Sequence, residues 1–320
     1  MIFAKGSLWK STRNCMSQFF TSYKLRAVMP SLLHAQQQFI DILGEHADRG
    51  VEVDITSLCE RFTFDVIGKA AFGIDTDVQR NPDNPLFKDA LAVLPNITTG
   101  FFYHLGQNLY HWPRLLRTPA KLLGAIYANP LAEMTKKAAE VIEHRRKNPQ
   151  VRIPDMAQIL LDGLVDEAVP EVVKHELRAD STGITYDTTR FTTRCADEDY
   201  RYGKYLIKKG TSVMVPTYQL HHDPEYWDEP EKFDPERFSS ENKHSNNAIA
   251  YQPFGLGPRT CLGQRLALAE LASATAHVLR HYSIALGKSQ KRDLEMDTYS
   301  IMAAPKEKVF IRLRRLQQAQ

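Results

Sequence analysis

The sequence predicts a mainly α-helical fold with a few small β-hairpin regions, an α+β arrangement in which helices dominate. Several stretches repeat apolar residues at the spacing that gives a helix one apolar face. Shorter stretches alternate apolar and polar residues, which is the pattern of a half-buried strand. Of the 320 residues, 43% are hydrophobic and 10% are aromatic, so a substantial core is available. No internal repeat or low-complexity linker divides the chain, and we expect one domain over residues 1–320.

The first predicted helices are defined by periodicity and by the residues at their ends. Apolar spacing predicts a helix over residues 23–46. The next predicted helix covers 57–71, with Ser57 and Glu60 as a capping box at its start. Gly73 follows its end, where glycine is the preferred residue for terminating a helix.

The later elements follow from the same signals. Asn84-Pro85 is typical of a helix start, because proline is tolerated at the first helical position. Helical periodicity or strand alternation then predicts the remaining elements. These are helices over 120–147, 155–161 and 264–282, a hairpin over 202–215 and a late strand over 309–313.

Charge and cysteine content narrow the class of protein. The net charge is +3 with balanced acids and bases, so the sequence gives no indication of nucleic-acid binding. The scattered cysteines include no C-x-x-C pair, which favours a reducing compartment over a disulfide scaffold. They are Cys15, Cys59, Cys195 and Cys261.

One ten-residue stretch, from Phe254 to Gly263, combines a cysteine with an arginine and closely spaced glycines. It has the pattern F-x-x-G-x-R-x-C-x-G, and a predicted helix follows directly. With this composition, chance gives the pattern with a probability on the order of 1 in 10,000 or less. Metal coordination and nearby positive charge favour the thiolate form of a cysteine, so Cys261 is a candidate metal ligand. The alternative is a glycine-rich turn before a surface helix, with Cys261 as a small buried residue.

This stretch resembles the haem-thiolate loop of the cytochrome P450 family. The resemblance implies that Cys261 is the axial ligand of the haem iron. It implies that Gly257 and Gly263 allow close backbone approach to the haem, and that Phe254 keeps water from the sulfur. It further implies that Arg259 offers its guanidinium to a haem propionate.

Two other sites resemble propionate-binding positions of the family. Trp9 and Arg13 form W-x-x-x-R, a spacing that places both on one helix face. In the family this pair donates an indole N–H and a guanidinium to the propionates, and an arginine at the place of Arg194 also reaches one. The alternative for Trp9 and Arg13 is a pair on the surface of a helix, and the alternative for Arg194 is a charged residue of a strand.

The family's PERF element resembles Pro235–Phe238, but two helices that the family combines with it have no counterpart in the sequence. One carries an A-G-x-D/E-T pattern, whose acid–alcohol pair helps to deliver protons to bound oxygen. The other carries E-x-x-R and binds the PERF arginine. We expect both to be missing, near 168–170 and near 188–190, which leaves Arg237 either solvated or paired with new partners.

The resemblance to the family gives expectations for three further parts of the chain. Its N-terminal membrane anchor region is expected to be missing, because the Trp9 motif occurs so early and no run of 18 apolar residues exists. The aromatic-rich segment 101–113 is either a core-facing loop or the cover of the substrate entrance. Residues 299–303 lie where the family places a cavity-lining turn.

The resemblance implies a monooxygenase that inserts one atom of O2 into an apolar small molecule, with haem b as cofactor. Electrons come from NADPH through NADPH–cytochrome P450 reductase, and cytochrome b5 is a further candidate partner. The implied location is the cytosolic face of the endoplasmic reticulum membrane. The sequence over 215–238 is similar to that of the animal clan that oxidises drugs, steroids and xenobiotics. No catalytic residue is assigned, because the acid–alcohol pair is missing. Two alternatives stay open: a splice or gene-model fragment that at most binds haem, and a haem-thiolate isomerase.

Overall fold

The computed structural model describes residues 6–99, 130–153, 155–165, 192–239, 241–242, 249–290, 294–295 and 305–317. Several predicted features lie outside the described residues: segment 101–113, the deletion points near 168–170 and 188–190, and the turn at 299–303.

Helices make up most of the described N-terminal half. They are α1 (Gly6–Ser17), α2 (Ser22–Arg49), α3 (Ile55–Phe72), α4 (Pro85–Thr99), α5 (Pro130–Lys147) and α6 (Met156–Val165). Two more follow, α7 (Thr217–His221) and α8 (Gln264–His281), with short 3-10 helices at Gln18–Phe20, Pro235–Phe238 and Gly257–Arg259. The predicted helices are confirmed where the structure describes them, and their ends differ by a few residues.

The strands are short and pair antiparallel. They are β1 (Val53–Asp54), β2 (Thr192–Cys195), β3 (Tyr200–Tyr202), β4 (Tyr205–Ile207), β5 (Ser212–Val215), β6 (Tyr282–Leu286) and β7 (Phe310–Arg315). One sheet has the order β1-β7-β6, and β2 pairs with β5 and β3 with β4. The hairpin predicted over 202–215 is therefore two ladders, because only β3 and β4 form a tight hairpin while β5 pairs back with β2.

The start of α3 differs from the prediction. The capping residue is Asp54 rather than Ser57, since the Asp54 carboxylate accepts a hydrogen bond from the Ser57 backbone N–H at 3.0 Å. Aspartate serves this position as well as serine does, and the helix begins two residues earlier than predicted. The end is as predicted, because Gly73 adopts the left-handed conformation with φ of 64°.

The main core lies between α2, α3, α8 and the β1-β7-β6 sheet. Its fully buried members include Leu32 and Leu43 on α2 and Leu58 on α3. Tyr282 closes the core from β6, and its hydroxyl donates to the Ile40 carbonyl at 3.2 Å. The sheet and the end of α8 are thereby held against the long helix α2.

Polar contacts fix helix α8 against its neighbours. The Thr63 hydroxyl of α3 donates to the Glu270 carboxylate at 2.8 Å. Ser273 and Gln36 of α2 exchange two hydrogen bonds, at 2.6 and 3.1 Å. Because these contacts set the position of α8, they also set the position of the cysteine loop at its N-terminal end. None of the helices within the described ranges is both long enough and apolar enough to cross a membrane.

Candidate functional site

The loop before α8 is closed by its own hydrogen bonds. The Cys261 N–H donates to the Phe254 carbonyl at 2.9 Å, and the Thr260 hydroxyl donates to the Gly255 carbonyl at 2.9 Å. Gly255 and Gly257 have φ angles of 73° and 76°, in the region that side chains other than glycine rarely adopt. The two glycines therefore permit the tight path that brings the cysteine to the helix end.

Cys261 is free and exposed, three residues before α8 begins. A Cβ atom added at Gly263 would lie 3.9 Å from the Cys261 sulfur and 3.6 Å from the Phe20 ring. The glycine thus keeps open the space between the thiol and the ring. The positive end of the α8 dipole favours negative charge nearby, which is the charge of a thiolate.

Arginines and a tryptophan gather at this loop from distant parts of the chain. Arg13 on α1 donates from Nη2 to the Thr260 carbonyl at 2.8 Å. The Arg259 guanidinium lies 4.4 Å from the centre of the Trp9 ring. Arg194 on β2 donates to the Leu256 carbonyl at 3.2 Å.

The structure thus brings the predicted site residues together around one loop. Two contacts differ in kind from the expectation. Trp9 contacts Arg259 through its ring face, where the sequence predicted a role for its indole N–H. Phe254 contacts Cys261 through its backbone carbonyl, where the prediction concerned its ring.

Some residues of the site were not predicted. Phe20 supplies an aromatic ring beside the thiol, and Thr260 joins the loop to Arg13. Phe20 follows the Trp9 motif closely in the sequence, and this proximity could have indicated that it lies near the site. The Thr260 contact is made through a backbone carbonyl, which every residue carries, so the sequence holds no signal for it.

The arginine of the PERF element binds backbone carbonyls. Arg237 donates to the carbonyls of Asp228, Glu229 and Lys232, the second at 2.8 Å and the third at 3.4 Å. That Arg237 lacks the partners of an E-x-x-R helix stays a prediction. Because the planar guanidinium of Arg237 donates to several carbonyls at once, it fixes the conformation of this turn.

The stretch from the PERF element to the loop is packed on an aromatic cluster. Trp227 is buried, and rings of Phe238 and Tyr251 lie 6.3 and 6.1 Å from it, centre to centre. His221 accepts a hydrogen bond at Nε2 from the Gln252 N–H at 2.8 Å. Burial lowers the pKa of His221, which keeps the ring neutral and able to accept that bond.

Comparison with known proteins identifies the family. The sequence model described as "Cytochrome P450" matches residues 1–189 and 185–311. The chain belongs to the cytochrome P450 family. Members of this family are haem-thiolate monooxygenases with haem b as cofactor, and their electrons arrive through a reductase. The fold class predicted from the sequence, mainly α with small sheets, is confirmed at the same time.

Several mammalian P450 proteins are similar to the chain. Cytochrome P450 3A6 of Oryctolagus cuniculus is 26% identical over 367 residues, which cover 93% of this chain and 72% of the relative. Lithocholate 6-beta-hydroxylase of Mesocricetus auratus is 25% identical over 380 residues, covering 97% and 74%. Cytochrome P450 3A5 of Homo sapiens is 26% identical over 370 residues, covering 95% and 73%. The predicted likeness to animal drug- and steroid-oxidising members is confirmed.

The residues at the site fit the family's cofactor. In this family the iron of haem b takes a cysteine thiolate as ligand, and cationic donors suit the two carboxylates of haem. The exposed, unbridged Cys261 thiol is a group of the first kind, and the guanidinium groups of Arg13, Arg194 and Arg259 are groups of the second kind. Gly263 adds no side chain beside the sulfur.

Proposed function

We propose that this chain binds haem b at the cysteine loop, with Cys261 as the thiolate ligand of the iron. The observation that carries the proposal is the convergence of Arg13, Arg194 and Arg259 on a loop that presents one exposed thiol. These side chains come from α1, β2 and the loop itself. Cationic groups gathered from three separate elements around a thiol suit a ligand that carries both carboxylates and a thiophilic metal.

Each residue has a distinct part in this proposal. Arg13 and Arg259 hold propionates, and Trp9 orients Arg259 by stacking against its guanidinium. Arg194 reaches the same region from β2. Gly257 and Gly263 allow the backbone to approach the haem, while Phe20 and Phe254 exclude water beside the sulfur.

The reaction that we propose is insertion of one atom of O2 into an apolar small molecule, with electrons from NADPH delivered by NADPH–cytochrome P450 reductase. When bound, haem supplies the iron chemistry that activates O2. Cys261 contributes electron density to that iron as its ligand, and the arginines fix its orientation. Cytochrome b5 is a further proposed partner, and the proposed location is the cytosolic face of the endoplasmic reticulum membrane. Lithocholate, which the name of the hamster relative specifies, is a reasonable first substrate to assay.

A second candidate function is haem binding without turnover. The alignment with the rabbit relative spans 367 positions while the chain has 320 residues, so the relative contains internal residues without a counterpart here. The family match also falls into two parts that meet at 185–189, close to one expected deletion point. Both observations support the interpretation that the acid–alcohol helix and the E-x-x-R helix are missing.

The first test is the reduced, carbon-monoxide-bound difference spectrum of the chain reconstituted with haem. A strongly red-shifted Soret band is expected for the wild type and for Cys195→Ser, a matched control that removes another exposed thiol. Cys261→Ser is expected to lose the shift. The same band position in all three proteins would disprove thiolate ligation by Cys261.

Turnover separates the two candidate functions. The reconstituted chain is mixed with NADPH, the reductase and lithocholate, and hydroxylated product is measured against NADPH consumed. Product that disappears in Cys261→Ser supports the monooxygenase. A red-shifted spectrum without product supports haem binding alone.

A further inference from the structure

Strand β6 lies at the edge of the β1-β7-β6 sheet, and its outer side pairs with no other strand of the part of the chain described here. Its sequence, Tyr-Ser-Ile-Ala-Leu, contains no charge and no proline. Ile284 and Leu286 are 46% and 54% exposed. Natural proteins usually protect such an edge with charges, prolines or a covering element, because an open edge invites pairing with another strand.

The register shows which backbone groups face outwards. The Gly287 N–H donates to the Phe310 carbonyl at 2.9 Å, and the Leu316 N–H donates to the His281 carbonyl at 2.8 Å. Hydrogen-bonded positions alternate along an antiparallel pair, so Ser283 and Ala285 also bond to β7. The N–H and C=O of Ile284 therefore point to the open side of the strand.

The two faces of the edge differ in chemistry. Ile284 and Leu286 lie on the face that continues the core, opposite Leu313 and Ile311. The other face carries Ser283 and Ala285 opposite Arg314 and Arg312, with both arginines exposed. Among the residues that the structure describes, neither guanidinium has a carboxylate within ion-pair distance, and Arg312 interacts with the Glu52 carboxylate only at longer range.

The small residues on β6 leave the arginines within reach of an added strand. Neighbouring strands lie about 4.8 Å apart, so a strand added to β6 is two spacings from β7. Only Ser283 and Ala285 stand between, and they present little bulk. Arg312 already extends across, since its Nε lies 3.5 Å from the Leu286 carbonyl oxygen.

We propose that the edge of β6 binds an extended acidic segment of a partner protein by strand addition. The segment pairs with the outward backbone groups of Ile284. Its carboxylates pass over Ser283 and Ala285 to Arg314 and Arg312, and its alternate apolar residues cover Ile284 and Leu286. A second copy of this chain is a poorer occupant, because a second β6 has no carboxylate to offer the arginines.

The probe is a fluorescent, capped seven-residue peptide of alternating glutamate and valine, titrated with the full chain and followed by anisotropy. The matched probe alternates lysine and valine. Binding of the acidic peptide that weakens with salt, with roughly tenfold or more weaker binding of the basic one, is expected from surface charge pairs. Equal binding of both peptides, or no binding of the acidic one, would overturn the proposal without need of any variant.

Variants locate the binding. Arg312→Glu with Arg314→Glu is expected to weaken acidic-peptide binding roughly tenfold or more, through lost attraction and added repulsion. The control, Arg201→Glu with Lys204→Glu, makes the same charge change on the exposed β3–β4 hairpin and is expected to leave binding unchanged. Equal weakening by both pairs would mean that net charge alone attracts the peptide, contrary to the proposal.

Backbone pairing has its own signature. Amide hydrogen exchange of Ile284 is expected to slow when the peptide binds, whereas Ser283 and Ala285 are already protected by β7. Ile284→Pro removes an outward N–H and spares the ladder, so it is expected to weaken binding while thermal unfolding stays cooperative. Unchanged exchange at Ile284 would mean that the peptide binds a different surface. A dimer of the free chain that Ile284→Pro abolishes would mean that β6 pairs with a second copy of the chain.

Discussion

Arg13 joins helix α1 to the cysteine loop by a hydrogen bond, at 2.8 Å to the Thr260 carbonyl. A hydrogen bond from a charged group contributes about 1.5 kcal/mol or more, so Arg13→Ala is expected to weaken haem binding by roughly tenfold. Titration of haem by absorbance measures the change. Arg26→Ala, an exposed arginine of α2, is the control, and equal affinities in the two variants would contradict a role for Arg13 at the site.

Glu270 is a buried carboxyl whose charge opposes folding. Burial raises the pKa of Glu270, and the hydrogen bond from Thr63 partly offsets this. A raised pKa in the folded chain means that stability is greatest while the carboxyl is protonated and is lost as pH rises through the folded-state pKa. Glu270→Gln keeps an acceptor for Thr63 and removes the charge.

The variant Glu270→Gln is therefore expected to unfold at a higher temperature than the wild type at pH 8. The difference is expected to vanish at about pH 3, below the ordinary carboxyl pKa of about 4, where the Glu270 carboxyl is protonated in the folded and the unfolded chain. Circular dichroism melts at both pH values test this, with the exposed Glu140→Gln as control. A difference that does not depend on pH would indicate a packing effect.

At the scale of single residues, the sequence predicted the site better than the helix caps. Cys261 and Arg259 were predicted from a pattern whose residue types and spacing are demanding, whereas Arg13 and Arg194 were expected from the resemblance to the family. Ser57 was mistaken for a cap because Asp54, three residues earlier, can serve the same purpose, and only the backbone path shows which one does. Phe20 is an ordinary core residue by sequence, and its place near Gly263 depends on how the 3-10 helix Gln18–Phe20 packs against the start of α8.

Helices α5 and α6 are joined by a buried ion pair. Arg145 and Asp155 meet at 2.5 Å with side chains only 4% and 2% exposed, and Arg145 also donates to the Phe72 carbonyl of α3 at 2.7 Å. Asp155→Ala leaves a buried guanidinium without its counter-charge, and the expected loss is about 3–5 kcal/mol of unfolding free energy.

Urea denaturation measures that loss, and the same two segments offer a control. Arg152 and Asp162 form an ion pair at 2.7 Å with side chains 63% and 46% exposed. Asp162→Ala is expected to cost at most about 1 kcal/mol, because exposed pairs contribute little. Similar losses in both variants would show that burial of the Arg145 pair does not govern its contribution.

Strand β6 is one of the elements that the sequence did not predict. The helix was predicted over 264–282 and ends at His281, but residues 282–286 follow it without a turn signal, so no strand was predicted there. The strand forms because β7, far along the chain, offers a partner, and because the Tyr282 hydroxyl bonds to α2. Strand pairings between distant parts of the chain depend on the assembled fold, so local periodicity does not predict them.

For the molecule as a whole, helix α8 exposes an apolar surface that its described neighbours do not cover. Leu268, Leu271 and Leu279 are 47%, 60% and 57% exposed. Exposed leucines are common singly, but three along one helix are typical of a surface made for a partner. This fits the hypothesis that helices present in the relatives are missing from this chain, near 168–170 and 188–190.

Insertion of the corresponding segments of the rabbit relative at those two points tests the hypothesis. The restored chain is expected to bury more apolar surface, and hence to unfold in urea with a steeper dependence on denaturant than the chain as it stands. It is also expected to gain or increase hydroxylase turnover with NADPH and the reductase, because the acid–alcohol pair returns. Insertion of polar, flexible segments of equal length is the control. An unchanged urea slope together with unchanged turnover would mean that the chain is complete in itself and that the leucines of α8 serve another purpose.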